Sequence, residues 1–355
     1  MGSADKFVAD LLIEHGVNLL RFGAGVRAKA LAILQRMEVE LTAKLVSGEL
    51  SDHAQDRAAT LLQETSGVIN DYYVEIERTT GVKLGGVART SAAAVKDALS
   101  KAVSVSIEVS MPTANVLEAL ASDVLIHGAP SAEHWARQGQ YVADRFADEV
   151  RQGIAQAETN SQIVSRIVGR NGAPGVMDMA RTSATRLVQA SIQTVANTAR
   201  RTTFKQNSDI VDGLQQLSTL DGHTSDTCIA YSGAMWNMQY EPMGGTTLPY
   251  GSGCPRHWGC RSIESAVLKS FASLGIDLPE FPMSTRASRD GQVSANMTMK
   301  EWLDRRTDAQ LDEQLGKGRA QLYRDGTITL QQLLDQSGNP LTLAQLTAKY
   351  GSSTQ

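Results

Sequence analysis

Apolar residues recur at helical spacing through most of the first two hundred residues, and this periodicity restricts the chain to a mainly helical fold. Leu34, Met37, Leu41 and Leu45 follow one another at spacings of three, four and four, which puts them on one side of a helix. Phe7, Val8, Leu11 and Leu12 make a stripe ahead of them, interrupted at Gly23 and Gly25, and Gly48 ends the second stripe. Leu61, Thr65, Val68, Tyr72 and Ile76 continue the pattern on a third helix, and the alanine-rich run 91–102 makes a fourth. The segment VSVSIEV, 103–109, alternates apolar with polar residues and predicts a strand, with Pro112 just beyond it. Helical spacing resumes from Ala114 to about Ile167. The run VGRNGAPGV, with Gly169, Gly172, Pro174 and Gly175, then marks a turn or linker. Residues 176–207 read as the longest uninterrupted helix, with Ala184, Val188, Ile192, Val195 and Ala199 on its buried side.

The texture changes after Asn207. Short β-like runs alternate with turns, and EPMGGTTLPYGSGCPRHWGC, 241–260, holds five glycines and three prolines in twenty residues. The tail is helical again. TMKE, TDAQ and TLAQ, starting at Thr298, Thr307 and Thr342, each fit the capping-box pattern, in which a threonine and a Glu or Gln three residues later satisfy each other's backbone N–H groups. The expected fold is therefore mainly α: a long-helix N-terminal region (1–175), a connecting helix (176–207), a small irregular α+β domain containing Cys and His (208–285) and a helical C-terminal appendage (286–355).

Composition removes several function classes. A formal net charge of −4 gives no global electrostatic case for coating nucleic acid. The densest basic cluster, ARRTTFK at 199–205, reads first as a solvated helix end. No apolar run approaches a membrane span, and the first residues lack the pattern of a signal peptide. There is no G-x-x-x-x-G-K-[ST] phosphate loop, and no G-x-G-x-x-G between a strand and a helix.

Three cysteines in 355 residues, two of them in CPRHWGC, carry the chemistry. Cys254, His257 and Cys260 stand at C-x2-H-x2-C, and Cys228 lies upstream. Zinc favours thiolate and imidazole donors in a tetrahedron, so these four residues are candidate ligands, with Asp221 and His223 as alternatives. Gly251, Gly253 and Gly259 supply the backbone freedom such a loop needs. Three rival readings use the same residues. They are free buried thiols, a disulfide from Cys228 to Cys254 or Cys260, and a Cys228–His257 nucleophile and base with Asp221 orienting the imidazole. No sequence around them matches a thiol-protease signature, and no second cluster of metal ligands suggests a nuclease, so the expectation is a protein without enzymatic activity.

The run LVQASIQTVANTARRTTFKQNSDIVDGLQQLSTLDGHTSDTCIAYSG, 187–233, followed by CPRHWGCRS, resembles the Mu F-like head-morphogenesis family, the minor head proteins of tailed phages. The match falls on Asp221, Thr224, Ser225, Cys228, Gly233, Pro255, His257, Cys260 and Arg261. His223 stands where the family has an arginine, and Cys254 is additional to its pattern. The resemblance thus leaves Cys228, His257 and Cys260 as the core set, completed by Asp221 or Cys254. The tail segment 302–346, with LGKGRAQL, also resembles one found in such proteins. The resemblance implies a structural, portal-associated virion component acting in head morphogenesis and in genome packaging or delivery. It would sit in the head interior or neck, and in the host cytoplasm during assembly. It implies portal, capsid or scaffold proteins as partners, with self-association possible, and one structural zinc as a staple. The alternatives are a zinc or thiol enzyme (peptidase or nuclease) carried in the virion, and an ejection protein contacting DNA through Arg200, Arg201, Lys205, Arg305, Arg306, Lys317 and Arg319.

Overall fold

The computed structural model describes residues 3–47, 54–103, 107–170, 173–270, 285–288, 291–294 and 297–351. The fold is mainly helical, with a small antiparallel sheet. Its elements in chain order are helices α1 (Ser3–Ser47), α2 (Ala54–Ala102), α3 (Ala114–Asp123), α4 (Ser131–Ala155) and α5 (Asn160–Val168), then the two-residue strands β1 (Gly169–Arg170) and β2 (Ala173–Pro174). Helix α6 (Val176–Gln206) leads into β3 (Val211–Leu217), helix α7 (Asp226–Tyr231), β4 (Met235–Asn237), β5 (Pro242–Met243) and β6 (Ile263–Leu268). Strands β7 (Thr285–Ser288) and β8 (Gly291–Ser294) and helices α8 (Met299–Leu303), α9 (Asp308–Leu315), α10 (Lys317–Arg324) and α11 (Leu343–Tyr350) follow.

The chain groups into two compact units woven from separate segments: 1–19, 88–117 and 193–355 form one, and 20–87 with 118–192 the other. The sequence reading, by contrast, divides the chain into consecutive regions.

In the second unit the helices are longer than the glycines predict. Gly23 and Gly25 lie inside α1, which runs on to Ser47, and Gly81, Gly85 and Gly86 lie inside α2. A mid-helix glycine costs only about 1 kcal/mol, which core packing outweighs. Gly23 also lets α6 approach, since a Cβ there would stand 3.3 Å from Ile192 Cδ1. Helices α1 and α2 run antiparallel: Arg36 meets Glu75 at 2.5 Å, Glu40 accepts from the Tyr72 hydroxyl at 2.9 Å, and Lys44 faces Glu64. Gly139 of α4 lies against Tyr73, whose ring meets Trp135 at 6.4 Å between centroids. Ala184, Val188 and Ile192 of α6 are buried as expected.

In the first unit the four-stranded sheet has the order β5-β4-β3-β6, antiparallel throughout. Strand β6 is an edge, and an exposed edge invites unwanted pairing. Here side chains close it. Asn197 Oδ1 of α6 accepts from Glu264 N at 3.2 Å, and Asp5 Oδ1 of α1 accepts from Leu268 N at 2.7 Å. Val195 and Ala199 are buried on α6. Trp236 is fully buried, with its indole N–H on Leu248 O at 2.9 Å. The C-terminal helices join this same core through Leu311, Leu315, Ala320 and Leu346. All three threonine capping boxes read from the sequence are formed, at Thr298, Thr307 and Thr342.

The expected strand at 103–109 is not found. Val103 is a bend and Ile107, Glu108 and Val109 are irregular, while 104–106 lie outside the described residues. The backbone just beyond is held by a side chain instead of a partner strand. The Asn207 amide accepts from Ser110 N at 2.8 Å and donates to Ser110 O at 2.9 Å. Alternation alone cannot supply a neighbour to pair with.

His15 of α1 sits against Ser91 Oγ at 3.2 Å, and its pKa is lowered to about 4, first by burial and then by the charge of Arg200. The imidazole is therefore neutral in the native protein, while the unfolded chain takes up a proton below about pH 6.5. Stability from this group is present above that value and lost as pH falls through the folded pKa. We expect the unfolding free energy of the wild type, from urea denaturation, to drop between pH 7 and pH 4.5 by about 2 kcal/mol more than that of His15→Gln. Parallel pH curves for the two proteins would contradict this.

Candidate metal centre

The site is built from two segments brought together across the sheet. The first begins at Asp221 and enters the short helix α7. Ser225 is its N-cap, accepting from Cys228 N at 3.3 Å, and this fixes Cys228 at the third helical position. The Cys228 carbonyl is held by Ser218 Oγ at 2.6 Å. The second segment is the loop leading into β6. Gly253 has φ +71 and Gly259 φ +79, conformations that side-chain-bearing residues rarely adopt. The turn after His257 closes with Cys260 N donating to His257 O at 3.1 Å.

Cys228, His257 and Cys260 meet with their donor atoms all within 4.8 Å of one another. Cys228 Sγ lies 3.5 Å from Cys260 Sγ and 3.3 Å from His257 Nε2. A tetrahedral zinc with Zn–S bonds of about 2.3 Å would set two thiolates about 3.8 Å apart and a thiolate about 3.5 Å from an imidazole nitrogen. The two separations from Cys228 Sγ are therefore within a few tenths of an ångström of those a metal would set. His257 Nδ1 lies 2.9 Å from Trp258 O. A carbonyl only accepts, so Nδ1 carries the proton and Nε2 presents its lone pair to the thiols. Metal-bound histidines are commonly oriented in this way.

The hydrogen bonds around the three sulfurs favour the thiolate form at Cys260. The Cys228 and Cys254 thiols donate to its sulfur, the backbone N–H groups of Arg256 and Ser262 add to them, and together they hold it far below the ordinary thiol range despite burial. Cys228 moves the other way, pushed up by its bond to Cys260 and by burial.

Cys254 is fully buried and touches Cys260, yet it stands outside the mutually close trio. Burial pushes its thiol well above the ordinary range. Asp221 is not free to ligate. Its two oxygens accept from both terminal nitrogens of Arg261, at 2.5 and 2.7 Å, and also from His223 N and Thr224 Oγ1. Arg261 and the backbone bond from His223 outweigh burial and hold this carboxyl below the usual range. The His223 side chain is exposed at the rim. Gly233, with φ +86, turns the chain back along β3, where its N–H meets Gln216 O. Pro255 follows a cis peptide bond from Cys254. All three cysteines are free. The catalytic arrangement weighed from the sequence lacks its third member, because a backbone carbonyl and not Asp221 stands behind His257.

Sequence reasoning missed the groups that anchor the loop. Arg256 lies over the Tyr231 ring at 3.4 Å, donates to Gln216 Oε1 at 2.5 Å and to Tyr250 O at 2.9 Å. Glu264, 1% exposed, accepts through Oε1 from Cys254 N at 2.7 Å, Tyr250 OH at 3.0 Å and Arg201 Nη1 at 3.3 Å. A Cβ at Gly253 would overlap this knot of Arg201, Glu264 and Tyr250. One signal was available: Glu264 interrupts the apolar strand IESAVL, and a charge in a buried strand needs an opposite charge. The ARRTTFK cluster supplies it. Arg200 is fully buried and Arg201 pairs with Glu264, so this is not a solvated helix end.

Compared with protein-family models, curated proteins and solved structures, the chain finds no match.

Proposed function

We propose that the chain is a structural, portal-associated minor head protein of a tailed phage, with Cys228, His257 and Cys260 holding one zinc that staples the sheet domain. One observation carries this reading. Seven of the nine residues on which the resemblance rests, Asp221, Thr224, Ser225, Cys228, His257, Cys260 and Arg261, come from segments some thirty residues apart and gather in one small polar knot. The pocket against that knot has a volume of about 10 Å³, which is room for one water and not for a peptide or nucleotide. Such a cluster acts on the fold itself.

The tail supports the same reading. Gln314 donates to Thr224 O at 2.7 Å, and Arg319 of LGKGRAQL pairs with Asp226 beside the cluster and donates to Leu341 O at 2.8 Å. The two segments that resemble the family are thus bonded to each other. No helix among the described residues is long and apolar enough to cross a membrane. The DNA-contacting alternative loses its strongest residues, since Arg200, Arg201 and Arg319 are engaged within the protein and Arg306 lies over the Trp302 ring at 4.4 Å.

The test is sedimentation of lysate from cells assembling the particle, probed for the chain. We expect it with proheads and portal protein. A chain wholly in the soluble fraction would contradict the proposal.

A further inference from the structure

We propose that the metal of this site is held by only three protein ligands, and that its fourth position opens into the adjoining pocket and takes an exchangeable water or small monodentate anion. The inference rests on the metal reading above and concerns how the site is completed.

Two observations point to it independently. The first is the placement of Cys254. Every donor pair around a tetrahedral zinc is about 3.3–3.8 Å apart, and Cys254 is not among the donors lying within 4.8 Å of one another. Its backbone is anchored away from the trio by the bond from Cys254 N to Glu264 at 2.7 Å, and Glu264 is itself held by Tyr250 and Arg201. Its thiol reaches only Cys260, as a hydrogen-bond donor to that ligand. It occupies the position of a supporting group behind a ligand.

The second is the pocket. Its lining includes Cys228 and His257 but not Cys254, along with Thr219, His223, Ser225 and Gly259. Cys228 and His257 therefore face a partly enclosed space of about 10 Å³, about one water, which Cys260 does not line. Ser225 Oγ stands in that space, 2.8 Å from His257 Nε2. Its oxygen accepts the Cys228 N–H and its hydroxyl donates to the Nε2 lone pair, so a metal taking up Nε2 would free that proton for an occupant. Three protein donors with a fourth position left to solvent is the pattern of an exchangeable zinc site and differs from the closed four-ligand pattern of a purely structural one.

The test uses the full chain loaded with cobalt(II), which occupies zinc sites and absorbs in the visible. Titration with azide should change the cobalt bands saturably in the wild type. Cys254→Ala should still bind one metal per chain, weakened by about 10–100-fold, the usual effect of removing a supporting group behind a ligand. His257→Ala, which removes a ligand, should bind no metal stoichiometrically. Bands indifferent to azide in the wild type would overturn the proposal whatever the variant does. A wild type that binds one metal while Cys254→Ala binds none would overturn it and leave the staple intact. A wild type that binds no metal would remove both readings.

Discussion

Glu264→Gln should destabilise the protein by about 3–5 kcal/mol, the usual effect of breaking a buried ion pair on one side only. The carboxylate is the meeting point of the sheet edge and the cysteine loop. It accepts from Arg201, Tyr250 and the backbone of Cys254 through one oxygen. The amide keeps the shape but removes the charge opposite Arg201. It also removes the nearest named negative charge acting on Arg200, whose pKa burial lowers to about 10 and Glu264 partly restores. Arg200 has one hydrogen bond, to Asn197 at 3.2 Å, and its Nε and Nη2 have no partner, so it tolerates little further loss. Urea denaturation checks the magnitude. Replacing both partners, Glu264→Leu with Arg201→Met, should recover only the part due to Arg201, because Arg200 still loses the Glu264 charge and Tyr250 and Cys254 N still lose their acceptor. A loss below about 1 kcal/mol for Glu264→Gln would mean that water reaches this pair.

Cys228→Ala should abolish metal binding and lower stability by about 4 kcal/mol when zinc is present at a thousandfold above its dissociation constant. The lost ligand leaves Cys260 and His257, too few donors to hold the ion. A chelator added to the wild type should bring it down to the level of the variant, and the variant should not respond to chelator at all. Thermal denaturation with and without chelator reads both. Equal responses in the two proteins would show that the cysteine does not contribute through a metal.

The sequence made much of this fold legible, and the reasons for the rest are physical. The capping boxes at Thr298, Thr307 and Thr342 could be read because both halves of each device lie within four residues of chain. The buried stripe of α6 could be read because helical spacing persists through Ala184, Val188, Ile192, Val195 and Ala199. Gly23 and Gly25 misled because a glycine's helix penalty is local and small, and at Gly23 packing against Ile192 of α6 outweighs it. At 107–109 alternation misled because a strand needs a neighbour and none pairs there among the described residues; the Asn207 side chain holds only Ser110, just beyond.

The same division holds at the site. Cys228, His257 and Cys260 could be named from residue chemistry and spacing, and the structure brings them together. What could not be read was which further groups complete the arrangement. Cys254 is as close in sequence as His257, but its backbone is tied to Glu264 and its thiol only reaches Cys260. Asp221 looked like a ligand or an orienting acid until Arg261 occupied both its oxygens. Arg256 gave no sign at all, because its role depends on the Tyr231 and Trp236 rings that fold beneath it.

The most direct test of the central claim is elemental analysis of the purified chain, paired with a count of reactive thiols before and after chelation. The account predicts one zinc per chain and thiols that stay unreactive until the chelator removes it. A metal-free protein that still folds, with the same thiol reactivity whether or not chelator is present, would contradict it.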